Sequence, residues 1–200
     1  MADGLPRQSP LAHLGLDARA AAPAADALVT LAELPPCAMV NLRCPATPEV
    51  RSMVAVHAGC GLPLNALESA RHADVTALWL GPDEFLISGL ADGIELAETL
   101  TSVFQGTLVT ATDVSDAYCV LRLAGPAAAE TLSMGCSLDL HPRAFGPGRV
   151  ARTLLAQAGI ILHQTEDESY EIYVRRSYAD YLWHWLMDAG RGFGIAVQPP

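Results

Sequence analysis

An α+β fold made of two consecutive β-α-β-β-α-β halves is what this chain of 200 residues predicts. Three observations predict it. Short β-branched and aromatic runs alternate with stretches that carry apolar residues at helical spacing. Within each half, two strand candidates follow one another directly, as in the ferredoxin-like split motif. The order strand, helix, strand, strand, helix, strand then recurs with one irregularity and without a repeated residue motif, so element order is what is duplicated. The expected organisation is an irregular arm over residues 1–30, a first half over 31–115 and a second over 116–200, the halves forming one compact unit.

The arm is rich in Ala, Pro and Asp, and its stretch ARAAAPAADA (Ala18 to Ala27) is broken by Pro23. AMVNLR, from Ala38 to Arg43, reads as a strand. Thr47 then caps a helix with Pro48 at its first position and a stop at Gly59 or Gly61. That helix carries Val50, Met53, Val54, His57 and Ala58 on one stripe, where a hydrogen-bonded core histidine is the expectation for His57. ALWLGPDEFLIS, from Ala77 to Ser88, reads as a hairpin turning on Gly81, Pro82, Asp83 and Glu84. Asp92 and Glu95 form a capping box for a helix with the stripe Leu96, Ala97, Leu100, Val103 and Phe104, and Thr107 to Thr112 returns as a strand.

In the second half, Ala117 to Leu123 is a strand and Gly125-Pro126 opens a helix through Leu132. Strand candidates follow at Val150 to Leu155, Ile160 to His163 and Tyr170 to Arg175, and Gly194 to Val197 is a short closing strand. Ser177 and Asp180 cap the last helix. Its expected core stripe is Tyr178, Tyr181, Leu182, Trp185, Leu186 and Ala189, which leaves Trp183 and Met187 on the other face. Trp and Met are enriched at interfaces, so these two are candidate partner contacts. Trp79 and Phe85, flanking the hairpin turn, pack either into the core or against a partner.

The net charge of −10 disfavours phosphate backbones and anionic membrane surfaces. All twelve cationic side chains are arginine, and the absence of lysine excludes a P-loop lysine, a Schiff base and a lysine general base. Five cysteines without a C-x-x-C pair read as free thiols of a reducing compartment, so a cytoplasmic protein is expected, with neither a secretion signal nor a membrane span. An apolar content of 51% suits either a permanently assembled subunit or a sequence biased towards Ala and Leu.

Catalytic motifs are mostly missing. GRGFG (Gly190 to Gly194) follows a helix and acts as a helix stop, not a dinucleotide loop, and neither G-x-S-x-G nor H-E-x-x-H occurs. Cys136, Asp139 and His141 mix soft and hard ligands at loose spacing, which argues against a metal site. His163 and His184 are expected at the surface or a sheet edge. Of the carboxylate pairs, Asp83 and Glu84 point to opposite faces of an extended chain, while Asp113 and Asp116 of DVSD sit where turn-shaping bonds are expected. No catalytic, cofactor-binding or metal-ligating residue is assigned.

Several stretches, taken together and in order, carry a resemblance: SPLAHL (Ser9 to Leu14), VNLR (Val40 to Arg43), LWLGPDEFLI (Leu78 to Ile87), DVSDAY (Asp113 to Tyr118), SLDLHPRAFGPG (Ser137 to Gly148) and RRSYADYLWHWLMDAG (Arg175 to Gly190). With them the chain resembles the gamma subunits of bacterial heterotetrameric sarcosine oxidases over nearly its whole length. Asp113 and Ser115, followed by Gly125 and Ala128, are also similar to folate-dependent aminomethyltransferases, whose folate-binding domain the expected fold resembles. The family's folate contacts do not map onto this sequence residue by residue. The resemblance implies a non-catalytic subunit with alpha, beta and delta partners. It places FAD, FMN, NAD, tetrahydrofolate and zinc in the other subunits, which supply the chemistry. Two other readings stay open: the equivalent subunit of a related N-methyl amino acid or imino acid dehydrogenase, and a free-standing folate-binding one-carbon protein.

Overall fold

The computed structural model describes residues 8–20 and 26–199. The remainder of the expected arm lies outside the described residues. In chain order the elements are α1 (Leu16–Ala20), β1 (Val29–Glu33), β2 (Ala38–Arg43), α2 (Pro48–Ala58), β3 (Ser69–His72), β4 (Val75–Gly81), β5 (Glu84–Leu90), α3 (Gly93–Val103) and β6 (Thr110–Asp113). Then come β7 (Tyr118–Ala124), α4 (Ala128–Ser133), β8 (Val150–Leu155), β9 (Ala158–Glu166), β10 (Ser169–Arg175), α5 (Ala179–Ala189) and β11 (Ile195–Val197).

Local chemistry sets the helix boundaries. The Thr47 hydroxyl accepts from the Val50 amide, Pro48 opens α2, and Gly59 closes it in the left-handed region at φ 71°. Asp92 caps α3 by accepting from the Glu95 amide at 3.0 Å. α5 instead follows a 3₁₀ turn over Arg176–Tyr178 and has no side-chain cap, so the expected caps at Ser177 and Asp180 are not made.

The strands form two sheets, ordered β3-β4-β5-β2-β6 and β11-β1-β7-β10-β9-β8. Four strands of the first, β6-β2-β5-β4, follow from the split motif, and β3 adds a further strand beside β4. In the second sheet β1 is inserted between β7, to which it is antiparallel, and β11, to which it is parallel. The expected arm therefore ends within a strand, and a strand from the start of the chain completes the second half. β1 escaped prediction because it is short and four of its five residues are buried, so it shows no alternation. The arm also contributes Leu11 and Leu16 to the core of that half.

Each sheet is covered on its outer face by helices. On the first, Val40, Leu42, Phe85 and Ile87 pack with Val54 of α2 and with Leu96 and Leu100 of α3. On the second, Leu31, Leu121, Leu123 and Ile172 pack with Leu132 of α4 and with Leu182, Trp183 and Leu186 of α5. The inner faces meet in an apolar seam of Met39, Leu78, Leu80, Leu86, Val120, Val150, Ile161 and Tyr173. The result is a helix, sheet, sheet, helix stack in which each strand residue faces either a helix layer or the seam.

Two expected partner contacts belong to this core. Trp183 is fully buried and Phe85 is 1% exposed, so neither presents a surface. The buried face of α5 is Ala179, Leu182, Trp183 and Leu186, while Tyr178 and Tyr181 are exposed. The expected stripe shares Leu182 and Leu186 with the real one but is rotated about the helix, because both flanks of that pair carry aromatic residues. Trp79 and Met187 are partly buried, each packed on the edge of a helix-side core. Trp79 pairs across the hairpin with Phe85.

Candidate functional site: a polar cleft between the sheets

Strand alternation sends every second residue of each sheet into the seam, and at one end of the seam that phase turns polar. Val120 is followed by Arg122, Ile161 by His163 and Thr165, and Tyr173 is preceded by Glu171. The register sets Glu171 opposite both Arg122 and His163, so these three form a row across β7, β10 and β9. The facing sheet repeats the arrangement, with Arg71 opposite Thr76 and Thr76 opposite Ser88 across β3, β4 and β5. The two rows enclose a cleft of about 290 Å³, also lined by Cys37 and Asp74.

Gly89 allows this approach. It sits at φ 86°, and a Cβ there would lie 2.0 Å from the Asp74 carbonyl oxygen, so only glycine lets the β3–β4 turn close over the cleft wall. Across the gap, the Ser69 hydroxyl meets His163 Nε2 at 3.0 Å and reaches the Gly148 carbonyl at 3.1 Å. The carbonyl can only accept, so the hydroxyl proton goes to Gly148 and the His163 Nε2–H donates to Ser69. Nδ1 is buried, has no hydrogen-bond partner among the described residues and lies 3.7 Å from Glu171 Oε2.

Glu171 accepts from the Tyr173 hydroxyl at 3.0 Å and from Arg122 Nη2 at 3.3 Å. Burial pushes its carboxyl up, but His163, Tyr173 and Arg122 together outweigh that and hold it below the ordinary carboxylate range. Burial, reinforced by the Glu171 charge, raises the Tyr173 hydroxyl well above its usual value, so it remains a donor. The cleft is therefore a preorganised polar site with a fixed anion in one wall.

Apart from His163, the residues singled out from sequence lie elsewhere. His57 is exposed, and not held in the core as expected. His163, expected at the surface or an edge, is 4% exposed. Asp139 accepts from the His141 amide and His141 Nδ1 from the Arg143 amide, so these two shape a loop, while Cys136 is buried beside Thr153. Asp113 accepts from the Ser115 amide, and the Ser115 hydroxyl in turn accepts from the Met39 amide, which ties the DVSD turn to β2. Burial raises the thiols of Cys44, to about 11, and of Cys60 and Cys119, so they stay protonated at neutral pH and are not poised as nucleophiles. The cleft residues themselves were missed, although a polar residue at the seam phase of VLR, IILHQT and YEIY was the available signal.

The profile of the sarcosine oxidase, gamma subunit family matches residues 45–192. The sarcosine oxidase subunit gamma of Corynebacterium sp. (strain U-96) is 38% identical over 191 residues, which is 95% of this chain and 93% of that one. The chain belongs to the sarcosine oxidase gamma subunit family. A gamma subunit from Arthrobacter sp is likewise 38% identical, over 92% of this chain and 89% of its own length. Among solved structures, a heterotetrameric sarcosine oxidase from Corynebacterium sp. U-96 in complex with pyrrole 2-carboxylate contains a chain that matches with a TM-score of 0.83 at 37% identity, covering 94% of this chain and 96% of that one. The glycine cleavage system aminomethyltransferase T from Bartonella henselae matches with a TM-score of 0.60 at 14% identity over 97% of this chain and 53% of its own, which shows a shared fold. The α+β expectation and the family resemblance both hold.

Proposed function

We propose that this chain is the non-catalytic gamma subunit of a heterotetrameric oxidase that demethylates sarcosine oxidatively to glycine. The one-carbon unit leaves as formaldehyde or 5,10-methylenetetrahydrofolate, and dioxygen is reduced to hydrogen peroxide. The observation that carries this reading is 38% identity to a sarcosine oxidase gamma subunit across 95% of the chain. Flavin, dinucleotide, folate and zinc, held by alpha, beta and delta partners, supply hydride transfer and one-carbon capture.

The surface supports an assembly role. Val56 on α2, Leu64 in the loop after it, Ile94 at the start of α3 and Leu108 in the loop before β6 are 73%, 80%, 59% and 91% exposed. Large exposed apolar side chains such as these suit burial against a permanent partner. Among the described residues no helix is long and apolar enough to cross a membrane.

The test is to tag the chain, express it with its gene neighbours, and measure mass, flavin absorbance and sarcosine consumption of what copurifies. A large flavin-bearing assembly that consumes sarcosine is expected. A colourless, folded monomer would overturn the proposal, and an assembly that oxidises a different N-methyl or imino acid would correct its substrate.

A further inference from the structure

We infer that the cleft between the sheets binds a small zwitterion of the α-amino acid class. The inference stands on the cleft alone and does not depend on membership of an oxidase assembly. Its first support is cost. Facing sheets pack through apolar residues, as Leu78, Leu86, Val120 and Ile161 do here, and replacing such residues by polar ones gains little stability. Two polar rows at matching positions on opposite sheets are thus a built feature, set around a void of about 290 Å³.

The second support is charge. The cleft holds two guanidinium groups, Arg71 and Arg122, and two carboxylates, Asp74 and Glu171, so a ligand with a large net charge would meet an uncompensated group. Arg122 and Glu171 are already paired at 3.3 Å. Among the described residues Arg71 spends only its Nε, on the Ala73 carbonyl at 3.2 Å, which leaves the other nitrogens of its fork for a carboxylate beside the hydroxyls of Thr76 and Ser88. The carboxylates of the cleft suit an ammonium group: Glu171 on the facing sheet, with the buried Nδ1 of His163 beside it at 3.7 Å, and Asp74 in the β3–β4 turn. A molecule with one carboxylate and one ammonium group satisfies both sets. The small volume limits it to an amino acid or a compound of similar size.

The test is calorimetric titration of the full chain, either alone or with the subunits that copurify, using glycine, N-methylglycine and proline as probes. Acetate and methylammonium, each carrying one of the two charges, serve as controls. Arg71→Gln and Asp74→Asn sit at the exposed mouth, and an unchanged melting temperature verifies their fold. The expected result is one saturable site per chain for at least one zwitterion, weakened about tenfold or more by either substitution and by either control. In an assembly with its own substrate site, the site lost in the variants is the cleft. Absence of saturation by all three zwitterions up to about 10 mM, or binding unchanged by both substitutions, would overturn the inference. A chain that binds a zwitterion yet assembles with no flavin subunit would sustain it while refuting the oxidase reading.

Discussion

Glu84, at the foot of the β4–β5 turn, ties the two halves together. Its carboxylate accepts from Asn41 at 3.0 Å, from Arg43 at 3.4 Å and from both terminal nitrogens of Arg152 on β8, at 3.0 and 2.5 Å. Arg152 is the main cause that holds its carboxyl below the ordinary range, against burial. Glu84→Ala is expected to destabilise the chain by about 1–2 kcal/mol in denaturant titration, because the freed arginines are half-exposed and regain water. The pH dependence follows from the depressed value. Such a carboxyl contributes its stability above the unfolded value of about 4.3 and loses it as pH falls through the lower folded value. Glu171 contributes in the same direction. Melting temperatures from pH 7 to pH 3 should therefore fall less steeply in Glu84→Gln than in the parent chain, and parallel curves would remove Glu84 from the acid response.

Trp183 and β1 matter at the level of whole elements. Truncating the fully buried Trp183 to Ala should cost about 3–5 kcal/mol, measured as a shift in denaturation midpoint, whereas Tyr181→Ala on the exposed flank of α5 should cost far less. Equal losses at both positions would contradict the observed orientation of α5. Removing residues up to Glu33 takes away a strand paired on both sides, so the truncated chain is expected to be recovered insoluble or molten, by circular dichroism and dye binding. Most elements were legible because their signals are local. Pro48 and Gly59 bracket α2, Asp92 and Glu95 open α3, and β8 spans the predicted Val150 to Leu155. β1, β3 and the face of α5 were not legible, since partners distant in sequence decide them. The cleft is the same case. His163 and Glu171 become a site only when β9 and β10 adopt one register and the opposite sheet is in place.

The molecule as a whole has two outer faces built of helices and a polar pocket at one end of its seam. Val56 and Leu108 of the first half are exposed apolar side chains, and the double variant Val56→Ser with Leu108→Ser tests what they are for. Isolated melting should move little, within about 0.5 kcal/mol per site, because neither side chain is buried. Recovery of the assembled oxidase on affinity purification should drop. Full recovery of an active assembly would place the docking face elsewhere. The threading of β1 also gives the molecule a direction in time. During synthesis the sheet of β2 to β6 is complete once Asp113 has left the ribosome, so the first half can fold while the rest is still being translated. β1 can pair with β7 soon afterwards, but its other edge has to wait for Ile195 to Val197, at the far end of the chain. The nascent protein thus carries an unsatisfied strand edge from the synthesis of β1 until that of β11, and this interval is the one in which it is most open to mispairing.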